Sequence, residues 1–152
     1  YEAVNSTINL CEERLKMNNI NIVVEGDQGI KAFGYGNQVS QVIINSINNS
    51  IDAIAERSIV EPQITIKLAS QGDWCSIIME DNAGGIPDEI LEKIFDPYFT
   101  TKSEQNGTGL GLYMSKMIIE RNFGGNIKVY NEGEGVCFCY TLPMTEGEIK
   151  NG

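Results

Sequence analysis

The sequence predicts an α+β two-layer sandwich, in which a mixed, mostly antiparallel sheet is covered on one face by about three helices. Some segments of the chain repeat apolar residues at helical spacing, and others alternate apolar and polar residues as β-strands do. Two pairs of strand-like segments are joined by only a few residues, which predicts antiparallel pairing within each pair. A chain of 152 residues can bury a core as one domain without a disulfide or structural metal.

The first part of the chain predicts two helices separated by strands and turns. Residues 2–17 repeat apolar side chains at helical spacing, and 20–24 read as a strand. Four glycines then predict turns around a short strand at 31–33. Asn37 is the expected N-cap of a long helix over 38–57, whose buried stripe is rich in isoleucine.

The rest of the chain predicts two hairpins and two further helices. In order, these are strands at 64–68 and 74–79, helices at 88–94 and 109–122, and strands at 126–131 and 135–142. Residues 95–108 are polar and irregular. One domain is therefore expected over residues 1–143, followed by a flexible tail at 144–152.

Charge and cysteine content exclude several classes of protein. The net charge of -10 and the absence of any run of Lys or Arg make nucleic acid and anionic membrane surfaces poor partners. The four cysteines form no CxxC pair, and no histidine is present to complete a zinc site. Cys137 and Cys139 are expected on one sheet face as reduced apolar thiols. With no signal peptide or long apolar run, a cytoplasmic domain is expected, and a membrane anchor in a longer parent protein stays open.

The run GTGLGL at 107–112 is the most informative motif. Glycine at alternate positions lets the backbone approach a bulky anion, and the helix that follows turns its free N–H groups toward the same place. The alternative is a glycine-rich turn that serves only to pack a helix on the sheet. An acidic chain that holds a nucleotide would also need a divalent cation.

Three segments upstream carry complementary chemistry. Gln41, Asn45, Asn49 and Asp52 form one polar ribbon on the long helix, and their amide oxygens suit Mg²⁺, although a ribbon of this kind is also typical of a solvated helix face. The segment 80–87, EDNAGGIP, has two interpretations. It combines a hydrogen-bond acceptor at a strand end with glycines that let a flat ring approach, or it is an ordinary turn. The segment 94–102, IFDPYFTTK, reads as packed loop or as the base of a lid with a phosphate-binding cation.

In this order, the four segments resemble the N, G1, F and G2 boxes of the catalytic ATP-binding domain of sensor histidine kinases, within the ATPase family that includes gyrase and MutL. The resemblance covers nearly the whole chain and implies the two-layer Bergerat fold. It further implies ATP and Mg²⁺ as ligands, a phosphoacceptor histidine and a response regulator as partners, and two-component signalling as the context.

The resemblance also implies roles for single residues. Asn49 would be the principal Mg²⁺ ligand with Asn45 alongside, and Asp81 would bind the adenine amino group in a pocket shaped by Gly85 and Ile86. Lys102 would act with Asn45 and Asn49 in catalysis. The phosphates would be held by Lys102 and by the backbone of the G2 run, which comprises Gly107, Thr108, Gly109, Leu110, Gly111 and Leu112.

Some positions depart from the family pattern. Asp52, which the resemblance also places among the nucleotide-site residues, stands where many kinases have Lys or Arg, which shifts phosphate binding toward Mg²⁺ and Lys102. Asn45 stands where hydrolysing relatives carry a glutamate base, and an amide cannot accept a proton at neutral pH. This favours phosphoryl transfer over hydrolysis. Because the chain has no histidine, the acceptor must lie outside it.

Three alternatives use the same pocket. A gyrase- or MutL-like ATPase module would hydrolyse ATP by itself, whereas a nucleotide-sensing module would bind ATP and transfer nothing. A serine kinase of the anti-sigma-factor type is also compatible with these motifs.

Overall fold

The computed structural model describes residues 1–32, 34, 36–99 and 111–144. Within these residues, five strands form one sheet in the order β1-β2-β3-β5-β4. Their bounds are β1 Asn21–Gly26, β2 Gln63–Gln71, β3 Trp74–Asp81, β4 Asn126–Glu132 and β5 Gly135–Pro143. β1 is parallel to β2, and every other pair of neighbours is antiparallel. The predicted mixed, mostly antiparallel sheet is confirmed.

The helices form the second layer of the sandwich. Their bounds are α1 Glu2–Leu10, α2 Glu12–Met17, α3 Gly36–Arg57, α4 Asp88–Leu91 and α5 Gly111–Met117, and a π-helical turn at Ile118–Asn122 continues α5. α3 lies between α1 and α5 and contacts both. Within the described residues, no helix has the length and apolarity needed to cross a bilayer.

The core lies between α3 and one face of the sheet. Ile43, Ile47 and Ile51 of α3 are fully buried, as the isoleucine stripe predicts. A row of apolar side chains crosses the sheet opposite them, formed by Val24, Ile66, Met79, Phe138 and Val129 in adjacent strands. Alternate residues of each strand face the other way, which is why Cys137 and Cys139 share the opposite face of β5.

The predicted helix over 2–17 is divided at Cys11 into α1 and α2. The backbone N–H of Cys11 donates to the carbonyls of both Thr7 and Ile8, and its φ of -95° and ψ of 0° leave the helical region. Cys11 is nonetheless buried, because the tight turn keeps its side chain on the apolar side. The predicted amphipathic pattern is therefore confirmed, whereas the sequence does not predict the break at Cys11.

Two predictions on the segment before α3 are wrong. No strand forms in the described residues between Gly26 and α3, because the Asp27 carboxylate accepts a hydrogen bond from the Gly29 N–H and turns the chain back on itself. Asn37 is not an N-cap, because α3 already begins at Gly36 and an N-cap needs non-helical dihedral angles. Phe33 lies outside the described residues.

Other elements differ from the prediction only at their ends. α4 stops at Leu91 instead of 94, and the chain continues through single turns to Phe99, with Asp96 N–H donating to Lys93 O at 3.0 Å. The start of the predicted helix 109–122 lies partly outside the described residues. So does the predicted tail, except Met144, whose N–H donates to Asp73 O at 2.9 Å.

Candidate functional site

The Asp81 carboxylate lies at the end of β3 and is held from three sides. Its Oδ1 accepts the backbone N–H groups of Ala83 at 3.1 Å and Val136 at 3.2 Å, and its Oδ2 accepts the hydroxyl of Ser50 at 2.8 Å. A carboxylate oxygen can accept two hydrogen bonds. Within the described part of the chain, Oδ2 accepts one hydrogen bond, so it can accept a second from an amino group of a ligand.

Asn45 connects α3 to the first turn of α5. Its Nδ2 donates to Gly111 O at 3.0 Å and to the buried Ser115 Oγ at 3.2 Å, while its Oδ1 accepts from Gln41 Nε2 at 3.1 Å. The Asn45 side chain therefore positions Gly111, which belongs to the glycine-rich run at 107–112. One lone pair of its amide oxygen remains beyond the bond with Gln41.

α3 separates two ends of one site. Asn45 contacts α5 and Ser50 contacts Asp81, and at 1.5 Å per residue these positions are roughly 7–8 Å apart along the helix axis. Asn49 lies one turn beyond Asn45 on the same side and is partly exposed. Two neutral amide oxygens on successive turns are ligands that suit Mg²⁺, and the donor set fits this cation.

Asp52 contacts the N-terminal helices. Its Oδ1 accepts from Arg14 Nη2 of α2 at 2.8 Å, and Arg14 Nη1 donates to Asn48 Oδ1 at 2.7 Å. Of the ribbon predicted on α3, Gln41 and Asn45 are hydrogen-bonded to each other, whereas Asp52 forms an ion pair that joins α2 to α3. The sequence offered no signal for this pairing, because Arg14 and Asp52 are 38 residues apart.

The loop from Asn82 to Ile86 follows Asp81 and is braced by other elements. Arg57, in the last turn of α3, donates from Nη1 to Ala83 O at 2.6 Å and Gly85 O at 2.8 Å. Asn131 of β4 donates to Ile86 O at 2.7 Å and accepts from Ile86 N at 2.8 Å. Gly85 and Ile86, predicted to shape a pocket, therefore lie in a loop whose backbone is held on two sides.

Gly135 lets the β4–β5 hairpin approach Asp81. A Cβ at this position would lie 1.7 Å from the Asp81 carbonyl oxygen and 2.7 Å from its Oδ1. Only glycine permits this distance, and the next residue, Val136, can then donate its N–H to the carboxylate. The sequence predicts Gly135 only as the first residue of a strand.

Of the predicted site residues, the structure brings Asn45 into contact with Gly111, and it places Ser50, the residue after Asn49, in contact with Asp81. Leu112 is half-buried and packs against the core. The other predicted phosphate-end residues lie outside the described residues, namely Lys102, Gly107, Thr108, Gly109 and Leu110.

Sequence reasoning missed four residues that contact the site: Ser50, Arg57, Asn131 and Gly135. Ser50 lies on the isoleucine-rich buried stripe of α3, and a hydroxyl among isoleucines was the available signal that it has a polar partner. Arg57 and Asn131 could not be found in this way, because their partners are backbone groups 26 and 45 residues away.

Comparison with known proteins identifies relatives of this chain. Residues 34–146 match the family described as histidine kinase-, DNA gyrase B-, and HSP90-like ATPase. The two-component sensor PprA of Pseudomonas aeruginosa is 36% identical over 151 residues, which is 95% of this chain. The chain spans only 16% of the length of PprA.

Solved structures with the same fold include the catalytic domain of the histidine kinase ThkA in a nucleotide-free form. It is 33% identical, with a TM-score of 0.80, and the alignment covers 95% of this chain and 91% of that chain. ThkA in complex with the response regulator protein TrrA aligns with a TM-score of 0.75 and 30% identity, covering 95% of this chain and 40% of that one.

Proposed function

Because this chain belongs to the histidine kinase-, DNA gyrase B-, and HSP90-like ATPase family, we propose that it is the ATP-binding catalytic domain of a two-component sensor histidine kinase. The observation that carries the proposal is the pair of contacts that α3 makes, from Ser50 to Asp81 at one end and from Asn45 to Gly111 at the other. α3 thereby contacts both ends of the proposed pocket. One end is a carboxylate that recognises an amino group, and the other is a glycine-rich helix start that receives phosphates. The similarity to sensor kinases supports the same conclusion.

The nucleotide's base binds at the Asp81 end in this proposal. Asp81 Oδ2 accepts the exocyclic amino group of adenine, and the backbone of Gly85 and Ile86 borders the ring. A keto group at the same position of the base would place an oxygen against the carboxylate, so the site selects adenine.

Asn49 is the principal Mg²⁺ ligand in this proposal, and Asn45 contributes the remaining lone pair of its Oδ1. When bound, Mg²⁺ neutralises charge on the phosphates of ATP. Lys102 and the run from Gly107 to Leu112 complete the phosphate end. Asp52 lies beyond Ser50 on α3, and its ion pair with Arg14 gives it a role in positioning α3 rather than a contact with the phosphates.

The proposed reaction transfers the γ-phosphoryl group to a histidine outside this chain. The lone pair of an imidazole nitrogen attacks the γ-phosphorus, the bond to the β–γ bridging oxygen breaks, and ADP leaves. The proton on the other imidazole nitrogen passes to a base outside these residues. This chain's residues contribute binding and orientation, which is where most of the catalysis of phosphoryl transfer lies.

Transfer is favoured over hydrolysis by the chemistry of Asn45. Its amide is neutral and already donates to Gly111 and Ser115, so it cannot act as a general base for water. We propose a phosphoacceptor domain, in the same protein or another, and a response regulator as protein partners, in keeping with the complex that ThkA forms. Because the reaction consumes ATP, the domain is proposed to work in the cytoplasm.

Calorimetric titration of the chain tests this proposal. ADP and a non-hydrolysable ATP analogue should each bind one site, and Mg²⁺ should strengthen binding of the triphosphate. Phosphate release from ATP by the chain alone should be negligible over the time in which binding saturates. Failure to bind any adenine nucleotide would refute the proposal, and rapid multiple turnover would favour a gyrase- or MutL-like ATPase module.

A further inference from the structure

Arg57 connects the helix of the Mg²⁺ ligands to the loop that borders the base. It lies in the last turn of α3, eight residues beyond Asn49, and one of its nitrogens donates to two carbonyl oxygens, Ala83 O at 2.6 Å and Gly85 O at 2.8 Å. Hydrogen bonds from a charged donor are stronger than those between neutral groups. A single guanidinium therefore curls the loop by binding two carbonyls that are two residues apart.

The glycine between these carbonyls adapts the loop to the arginine. Gly84 has a φ of +100°, and a Cβ built on it would lie 2.8 Å from Arg57 Nη1. Glycine adopts this backbone conformation without strain and leaves room for the guanidinium. The loop shape and the position of Arg57 thus depend on each other.

Ala83 transmits this contact to Asp81. Its carbonyl accepts from Arg57, while its N–H donates to Asp81 Oδ1 at 3.1 Å. A shift of Ala83 that follows loss of Arg57 would therefore also weaken a hydrogen bond to the carboxylate. The other braces of the loop come from the β4–β5 hairpin, through Asn131 on Ile86 and through Glu134 O, which accepts from Gly84 N at 2.7 Å.

We propose that Arg57 is a positioning residue for nucleobase selectivity: it holds Ala83 and Gly85 so that the Asp81 carboxylate is aimed at the amino group of adenine. The inference rests on the proposed function, since it concerns the base end of that pocket. Arg57 acts through Ala83 and is assigned no contact with the nucleotide.

The test compares Arg57→Met with the chain itself by calorimetry, using adenosine, ADP and inosine diphosphate. We expect Arg57→Met to weaken the binding of adenosine and of ADP by the same factor, about tenfold, because the lost hydrogen bonds act at the base. The preference for ADP over inosine diphosphate, which carries a keto group in place of the amino group, should shrink. A role in stability alone would leave that preference unchanged.

Controls separate selectivity from folding. Arg57→Lys retains a cation and donors and should restore part of the preference, while Arg121→Met, which removes an exposed arginine, should leave all three affinities unchanged. Hydrogen exchange of the Ala83 amide should accelerate in Arg57→Met. If Arg57→Met does not fold, Arg57→Gln, which keeps one donor group, is measured in the same way.

The two proposals fail in different ways. If the unmodified chain binds no adenine nucleotide, the proposed function is wrong. If it binds ADP and the folded Arg57 variant keeps the same ADP preference and the same Ala83 exchange rate, the function stands and the inference about Arg57 is refuted.

Discussion

The Asp81 carboxylate accepts hydrogen bonds from Ser50, Ala83 and Val136, which belong to a helix, a loop and a strand. These donors fix the orientation of both oxygens before any ligand arrives. Pre-orientation of this kind reduces the entropy lost on binding. At the scale of single residues, the proposed specificity for adenine therefore depends on an acid that three donors among the described residues hold in place.

Asp81→Asn should weaken adenine-nucleotide binding. The amide oxygen can replace only one carboxylate oxygen, and the amide nitrogen would face either donors of the protein or the amino group of the base. Because a partly buried group then lacks a partner, we expect a loss of about 1–3 kcal/mol in binding free energy, measured by titration with ADP. Asp73→Asn, an exposed acid at the far end of the β2–β3 hairpin, is the matched control. Near-normal affinity of Asp81→Asn would contradict the assignment of the base end.

Asn49→Ala should remove most of the gain in affinity that Mg²⁺ gives to the ATP analogue, a loss of about tenfold or more, while adenosine binding stays unchanged. Titrations with and without Mg²⁺ measure both quantities. Asn48→Ala is the control, because Asn48 is adjacent on α3 but contacts Arg14. Equal Mg²⁺ dependence in the two variants would show that Asn49 is not the ligand.

At the scale of elements, the β4–β5 hairpin and the end of β3 come closer than any side chain permits. Gly135→Ala should therefore destabilise the fold by at least about 3 kcal/mol, since the new methyl group would overlap the Asp81 carbonyl. Gly133→Ala in the same turn meets no neighbouring atom and has a φ of +58°, so it should cost only about 1 kcal/mol. Urea unfolding of both variants measures the difference, and equal losses would contradict the close approach.

The contact between α2 and α3 is a partly exposed ion pair. The side chains of Arg14 and Asp52 are 46% and 34% exposed, so their coupling should be about 0.2–1 kcal/mol and should decrease with added salt. A double-mutant cycle of Arg14→Met and Asp52→Asn, followed by urea unfolding, isolates this term. A coupling that is larger and independent of salt would mean that the pair is buried in solution.

At the scale of the whole molecule, the folded state holds protons tightly on several groups. Burial is the main cause that raises the pKa of Cys11, Cys75 and Cys137 above the ordinary thiol value of 9.0. Burial likewise raises the pKa of Tyr140, whose hydroxyl bonds with Ser46 under α3. All of these groups are neutral when protonated, so folding favours the protonated form.

The free energy of unfolding should therefore fall as pH rises above about 9. Below the pKa of the unfolded thiols the contribution is fully present, and it is lost as pH rises through the higher folded-state values. Urea unfolding at pH 7, 8, 9 and 10 with reductant present measures the slope. Cys75→Ala should show a shallower decrease, and a stability that does not change up to pH 10 would contradict the prediction.

The sequence by itself determined the class of fold, the mixed sheet and the segments that form the candidate site. These features follow from local patterns: helical and strand periodicity for α3 and the two hairpins, and residue spacing for the ribbon of Asn45 and Asn49 and for Asp81 with its glycines. The break of the first helix at Cys11 and the missing strand after Gly26 were not predicted, because local hydrogen bonds at Cys11 and Asp27 redirect the chain without changing its periodicity.

Only the tertiary structure decided which groups orient those segments and hold them in place through hydrogen bonds. Ser50, Arg57 and Asn131 reach partners between 26 and 45 residues away, and two of the three bind backbone atoms that any sequence would carry. Such pairs leave no periodic trace, since their geometry arises when α3 packs on the sheet and the β4–β5 hairpin closes on β3. Hydrophobic periodicity selects the fold, whereas long-range hydrogen bonds give the site its shape.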